Sequence, residues 1–263
     1  WIVLAYLLAI TTLIVGVGRL GDVAGRRRLL LGGVLVFTGA SVLCGVAPTL
    51  WLLIAARAAQ GVGAAVMMAL TMAFVGETVS KDRIGGAMGL LGTMSAIGTA
   101  LGPSLGGVLI AGLGWRAIFL VSVPIGILTL VLAYYALPAD SKASKTAPGT
   151  DRAGFDTIGT LLLALTLAAY ALAMTIGRGS FGTVNIGLLL AAVSGAVVFV
   201  LVELRAASPL IRLRMFRDPG LSAGLVTSAL VSTVLLATLV VGPFYLAHAL
   251  GLDAAAVGIV LSV

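Results

Sequence analysis

Long and nearly uninterrupted apolar runs follow one another along the chain and limit what it can fold into. A helix that crosses the roughly 30 Å hydrocarbon core of a bilayer needs about 20 apolar residues. Runs of this kind occupy positions 1–18, 29–47, 51–76, 86–113, 116–136, 156–176, 185–204 and 221–248, and another begins near Ala254. Only 10% of the 263 residues are charged and 60% are hydrophobic, so the chain lacks the polar surface of a water-soluble globule. We predict an all-α polytopic membrane protein with about eight complete transmembrane helices and part of a ninth.

The basic residues indicate how the predicted helices are oriented in the membrane. Most of the 16 lysines and arginines lie in alternate connections, whereas the connections on the opposite side carry only Arg116 and Arg178. Cytoplasmic loops of membrane proteins are enriched in Lys and Arg, so we predict that the more basic side faces the cytoplasm. With this orientation the chain is predicted to be a multi-pass protein of the plasma (inner) membrane. The loops predicted to be cytoplasmic are 19–28, 77–85, 138–155 and 205–220. This topology explains the net charge of +7 without a nucleic-acid partner, and the lipid bilayer is the expected partner.

Few residues offer the chemistry of an enzyme or a metal site. Cys44 and His248 are the one cysteine and the one histidine, too few for a disulfide or a multi-ligand zinc site. The GxGxxG pattern at 16–21 follows an apolar helix and not a strand, so it does not predict a dinucleotide site. We therefore expect no metal, no cofactor and no enzyme activity.

A short glycine-rich and basic segment, GRLGDVAGRRR at 18–28, joins the first two runs. Glycine permits close helix approach and a positive φ, and Asp22 can accept hydrogen bonds from arginines or from a helix N-terminus. We interpret this turn as an ion-pair latch, a conformational-switch loop that holds one conformation and releases another. A solvated cluster set by membrane topology is the alternative for the arginines alone. The residues of the predicted switch are Gly18, Asp22, Gly25, Arg26 and Arg27.

Arg57 is a charge within an apolar run. A charged residue at the centre of a membrane helix costs about 2.5–3.5 kcal/mol on insertion scales, so such a residue is a functional candidate. We expect Arg57 to face a cavity, with Gln60, Gly61, Met68 and Met72 as candidates for its lining. Outward snorkelling toward the nearby membrane surface is the alternative for the side chain.

Glycines recur every four residues in the run at 86–113. Gly98, Gly102 and Gly106 form one groove that another helix backbone can approach closely. Pro103, which stands beside this groove, removes a helical hydrogen bond and bends the span. Ordinary packing accounts for the groove, and a sliding contact during a conformational change is compatible with the same geometry.

Three segments together resemble the signatures of the major facilitator superfamily. The segment at 18–28 is similar to the GxLaDrxGrr signature, and RAAQGVGAA at 57–65 is similar to RxxQGxGaA. The segment at 98–107, which includes Gly107, looks like the antiporter motif GxxxGPxxGG. The two runs after position 156, followed by PLIRLRMF at 209–216, resemble the fourteen-span drug:proton antiporters of the EmrB/QacA type.

This resemblance implies a truncated major facilitator fold and proton-coupled efflux of hydrophobic drugs or antibiotics by alternating access. Protons and a small hydrophobic substrate are the implied partners, and Arg57 is the implied proton-coupling residue. All nine acidic residues fall in loops or at span ends, so the resemblance assigns the protonated acid to a first span that this chain lacks. A metabolite or sugar symporter of the same superfamily and a non-transporting truncated remnant are the alternatives.

The domain organisation follows from the same resemblance and from the polar connection at 138–155. Residues 1–137 are expected to form an N-terminal helical bundle without its first span. Residues 138–208 hold a cytoplasmic linker and two extra transmembrane helices, and residues 209–263 begin a C-terminal bundle.

Overall fold

The structure, a computed structural model, describes residues 1–137, 157–176, 181–205 and 218–261. Every regular element in these ranges is a helix. The helices are α1 (Ile2–Ala24), α2 (Arg26–Val46), α3 (Leu50–Thr78), α4 (Ile84–Leu113), α5 (Ala117–Leu120), α6 (Ser122–Ala136), α7 (Thr157–Thr175), α8 (Thr183–Arg205), α9 (Pro219–Ala249) and α10 (Ala254–Leu261), and a 3-10 turn at Lys81–Arg83 precedes α4.

Most of these helices are suited to a membrane. Seven helical stretches among the described residues are long and apolar enough to cross a bilayer, and α1 adds a shorter apolar stretch at Ile2–Ile14. The seven are Arg26–Val46, Leu50–Thr78, Lys81–Leu113, Ala117–Ala136, Ile158–Thr175, Thr183–Arg205 and Pro219–Ala249. The predicted class, an all-α polytopic membrane protein, is confirmed.

Two details differ from the prediction. The turn predicted at 18–28 is far shorter, because α1 stays helical to Ala24 and Gly25 alone joins it to α2. Gly25 adopts φ 95°, a conformation that glycine tolerates without a steric cost. The run predicted at 116–136 is divided into α5 and α6, which meet at Val121. Pro124 explains the break, since it has no N–H to continue the helical hydrogen bonds.

The described helices form two compact units. The first comprises Trp1–Phe74 and Ser122–Arg212, and the second comprises Val75–Val121 and Leu213–Val263.

In the first unit, glycines on α3 let neighbouring helices come close. A Cβ built at Gly61 would lie 2.5 Å from the carbonyl oxygen of Tyr6 on α1. One built at Gly63 would lie 2.6 Å from the backbone nitrogen of Phe37 on α2. Helices without side chains at such positions can pack backbone to backbone, as small residues allow in membranes. An apolar cluster of Val17, Val66 and Leu70 also packs on the same three helices with Leu13, Leu29, Leu30, Ala69 and Phe74.

The rest of the first unit consists of α6 and the hairpin of α7 and α8. Helix α6 packs on α2, where Gly126 lies against Thr38, and α7 packs on α1. Asn185 ties the hairpin: its Nδ2 donates to the carbonyls of Ala173 and Ile176, and its Oδ1 accepts from the N–H of Gly182. These bonds satisfy carbonyls at the end of α7 that have no partner within the helix.

In the second unit, α4 packs mainly on α10, and α10 also contacts α9. Gly258, in the middle of α10, lies directly against the carbonyl of Pro103, the proline within α4.

Candidate functional site

Arg57 lies in the second turn of α3 with its guanidinium against α1. Nη1 donates to Oε1 of Gln60 at 2.6 Å, and Nε donates to the carbonyl of Ile2 at 3.3 Å. The guanidinium also lies over the ring of Tyr6, 4.1 Å from its centroid, in cation–π geometry. Gln60 is one turn further from the start of α3 than Arg57, so this contact directs the guanidinium toward the middle of the span.

A directed chain of hydrogen bonds continues from Gln60 to α2. Nε2 of Gln60 donates to the hydroxyl of Ser41 at 2.8 Å, and that hydroxyl donates to the carbonyl of Phe37, also at 2.8 Å. Gln60 is 3% exposed and Ser41 is completely buried. We call Tyr6, Ser41, Arg57 and Gln60 the arginine network. It joins α1, α2 and α3 at one level of the first unit.

The arginine network can hold a positive charge at a fixed place inside a helical bundle. A cation in a medium of low dielectric constant acts strongly on nearby titratable groups and stabilises the charged form of an acid. Arginine suits this role because its guanidinium stays protonated. In the part of the chain that the structure describes, no three His, Cys, Asp or Glu side chains come together as a metal site requires.

The other candidates for a cavity lining lie in two different environments. Gly61 is buried where α3 touches α1, next to Tyr6. Met68 and Met72 are 53% and 56% exposed. The structure therefore brings Arg57 and Gln60 together, and it leaves the side chains of the two methionines exposed.

Part of the predicted switch connects α2 to α6. Nη2 of Arg27 donates to the carbonyl of Tyr134 at 2.6 Å, and its guanidinium lies 5.2 Å from the centroid of the Tyr134 ring. The last carbonyls of a helix carry partial negative charge, so a cation stabilises the end of α6. Gly18 lies within α1, and Arg26 begins α2. The Asp22 side chain lies outside the described residues, and so does that of Arg19.

The motif that resembles the antiporter signature lies in the second half of α4. Among the described residues, a Cβ built at Gly98, Gly102 or Gly106 meets no neighbouring atom within 4 Å, so the predicted groove is open there. Gly107 is buried, and Pro103 contacts α10 through Gly258.

Sequence reasoning missed three residues of interest. Ser41 and Tyr6 complete the arginine network, and Glu203, in the last turn of α8, is only 2% exposed. A polar residue within an apolar run is the signal that could have pointed to Ser41. An acid at a span end usually reaches water, whereas Glu203 is almost completely buried.

The fold and the arginine network define a polytopic helical membrane protein with a charged side chain bound between its helices. The family model described as the Major Facilitator Superfamily matches residues 1–263, and the chain belongs to that superfamily.

Curated relatives from Mycobacterium tuberculosis (strain ATCC 25618 / H37Rv) are similar over most of the chain. An uncharacterized MFS-type transporter is 36% identical over 262 residues, which cover 98% of this chain and 37% of the relative. A protein named multidrug resistance protein B homolog is 34% identical over 254 residues, 95% of this chain and 46% of the relative. Multidrug resistance protein Stp is 35% identical over 235 residues, 86% of this chain and 42% of the relative. The chain thus spans less than half the length of these relatives.

Proposed function

We propose that the whole protein that carries this chain is a proton-coupled exporter of hydrophobic drugs or antibiotics. It works by alternating access in the plasma (inner) membrane, with the 19–28, 77–85, 138–155 and 205–220 loops in the cytoplasm. Membership of a superfamily of transporters supports transport and argues against an enzyme. The names of two relatives as multidrug resistance proteins support drugs as the substrate class.

The observation that carries the proton-coupling part of the proposal is the internal position of Arg57. The partly buried guanidinium is held by Gln60 and by the carbonyl of Ile2 and is stacked on Tyr6. A charge within a membrane helix costs free energy, which supports a functional role for Arg57. A fixed cation favours the deprotonated form of an acid in the same cavity. Substrate binding and proton binding then compete through that acid, which is what antiport requires.

The proposed roles of the three segments of the chain follow the domain boundaries expected from the sequence. Residues 1–137 supply the bundle with the arginine network, residues 138–208 the linker and two extra spans, and residues 209–263 the start of the second bundle. In this scheme α4 adjusts at Pro103, which lies within the helix and lacks an N–H for the helical hydrogen bond, as the bundles rock. Met68 and Met72 supply adaptable apolar surface to the substrate path.

The proposal is tested in lipid vesicles that contain the whole protein, with ethidium, a lipophilic cationic dye, as the probe. Arg57→Ala is expected to abolish dye transport driven by a pH gradient, because no fixed cation then controls the acid. Exchange of dye against dye at equal pH needs no net proton step, so it is expected to persist. Arg116→Ala is the matched control, since Arg116 stacks on Trp115 outside the spans. Wild-type gradient-driven transport in Arg57→Ala would falsify the proposal.

A further inference from the structure

We propose that Ser41 is a positioning residue for Arg57 and acts through the amide of Gln60. This inference rests on the proposed function, because it assigns to Ser41 a part in proton coupling. The arginine network contains three successive hydrogen bonds: Arg57 to Gln60 at 2.6 Å, Gln60 to Ser41 at 2.8 Å, and Ser41 to the Phe37 carbonyl at 2.8 Å.

The donor and acceptor directions of these bonds mean that Ser41 determines the orientation of the Gln60 amide. The Phe37 carbonyl can only accept, so the Ser41 hydroxyl donates to it and presents a lone pair to Gln60. The NH2 group of Gln60 takes that lone pair, which leaves Oε1 to face Arg57. A flipped amide would put its NH2 group against the guanidinium, donor against donor. The hydroxyl of Ser41 therefore selects the amide orientation that can hold Arg57.

Because Ser41 and Gln60 are buried, water cannot replace the Ser41 hydroxyl as the acceptor for the NH2 group of Gln60. Ser41 has no exposed surface, and Gln60 is 3% exposed. Without the hydroxyl, the NH2 group of Gln60 loses its hydrogen-bond acceptor in a region that solvent does not reach. An unsatisfied buried donor costs free energy, so the amide is expected to rotate toward a different acceptor. The Arg57 guanidinium then keeps the Ile2 carbonyl and the Tyr6 ring on α1 but loses its contact along α3.

Close packing of α2 on α3 keeps Ser41 at the required distance. Gly63 of α3 lies against the carbonyl of Gly33 and the backbone nitrogen of Phe37, one turn before Ser41. The Ser41 hydroxyl is only one bond from Cβ, so the close approach of the two backbones fixes its distance from Gln60. Among the described residues, Tyr6 on α1 and Cys44 on α2 are titratable side chains close enough to Arg57 to interact with it electrostatically.

The test uses Ser41→Ala in the whole protein in lipid vesicles, with the same ethidium probe. We expect the rate of transport driven by a pH gradient to fall about fivefold or more, the factor that the loss of one buried hydrogen bond corresponds to. Dye exchange at equal pH is expected to stay near wild type. The matched control is Ser194→Ala, which removes a serine hydroxyl that also bonds a carbonyl four residues earlier, at an exposed position of α8.

Three outcomes separate the possibilities. A fall in gradient-driven transport with exchange preserved supports the positioning role. An equal fall in gradient-driven transport and in dye exchange shows that Ser41 has a structural role only. No change in either activity shows that Ser41 has no part in the mechanism. Each of these two outcomes overturns the inference. Wild-type gradient-driven transport in Arg57→Ala would instead defeat the proposed function itself.

A second variant keeps the inference testable if Ser41→Ala does not fold. Ser41→Cys keeps a group of similar shape, but sulfur accepts hydrogen bonds only weakly. We expect gradient-driven transport between that of the wild type and of Arg57→Ala, again with exchange preserved. Equal transport in Ser41→Cys and the wild type contradicts the inference.

Discussion

At the scale of single residues, Gly61 shows how tightly the arginine network is built. A Cβ at this position would lie 2.5 Å from the Tyr6 carbonyl oxygen and 2.8 Å from the Cβ of Ala9. Gly61→Ala must therefore push α1 away from α3 and move the Tyr6 ring from the Arg57 guanidinium. We expect a destabilisation of about 1–3 kcal/mol, the usual cost of overpacking, seen as a lower melting temperature in detergent.

The control for this substitution is Gly39→Ala. Gly39 lies in the middle of α2, and a Cβ there meets no atom within 4 Å among the described residues. Alanine is the better helix former by roughly 0.5–1 kcal/mol, so this variant is expected to melt at or above the wild-type temperature. Equal melting temperatures for Gly61→Ala and the wild type would show that α1 and α3 are not in contact at this point.

At the scale of elements, the hairpin of α7 and α8 depends on Asn185. Its amide makes three hydrogen bonds, to Ala173, Ile176 and Gly182, and the residue is only 4% exposed. Asn185→Leu removes all three and leaves carbonyls at the end of α7 without a donor, so we expect a loss of about 2–4 kcal/mol. Hydrogen exchange checks this: amides at 173–176 should exchange faster, whereas those of α2 should not change.

Asn185→Asp refines the same experiment. Aspartate keeps the acceptor for the Gly182 N–H but loses both donors to α7. Protection should therefore be lost at the end of α7 and retained at Gly182. If protection at 173–176 is the same in both variants and in the wild type, the amide is not what closes the hairpin.

The positions of the helices were predictable from sequence because an apolar run of about 20 residues has few alternatives in a membrane. The break at Val121 and the one-residue turn at Gly25 were not, because they depend on local backbone geometry at Pro124 and on a positive φ. Arg57 was predictable as a charge among apolar residues. The bond between Ser41 and Gln60 was not predictable, since a serine in a helix can simply bond its own preceding carbonyl, and only the packing of α2 on α3 brings Gln60 to it.

At the scale of the whole molecule, the proposed function depends on which side of the membrane each connection occupies. The basic loops at 19–28, 77–85, 138–155 and 205–220 are proposed to face the cytoplasm. Thr49 and Ser80 lie in exposed connections at the two ends of α3, so they must lie on opposite sides of the membrane. Cys44 is the one cysteine of this chain and is completely buried. Cys44→Ala, combined with replacement of every cysteine elsewhere in the whole protein, gives a background without reactive thiols. In that background Thr49→Cys is expected to react with a membrane-impermeant maleimide in intact cells, whereas Ser80→Cys reacts only after permeabilisation. The reverse labelling would contradict the proposed topology, in which the basic loops face the cytoplasm.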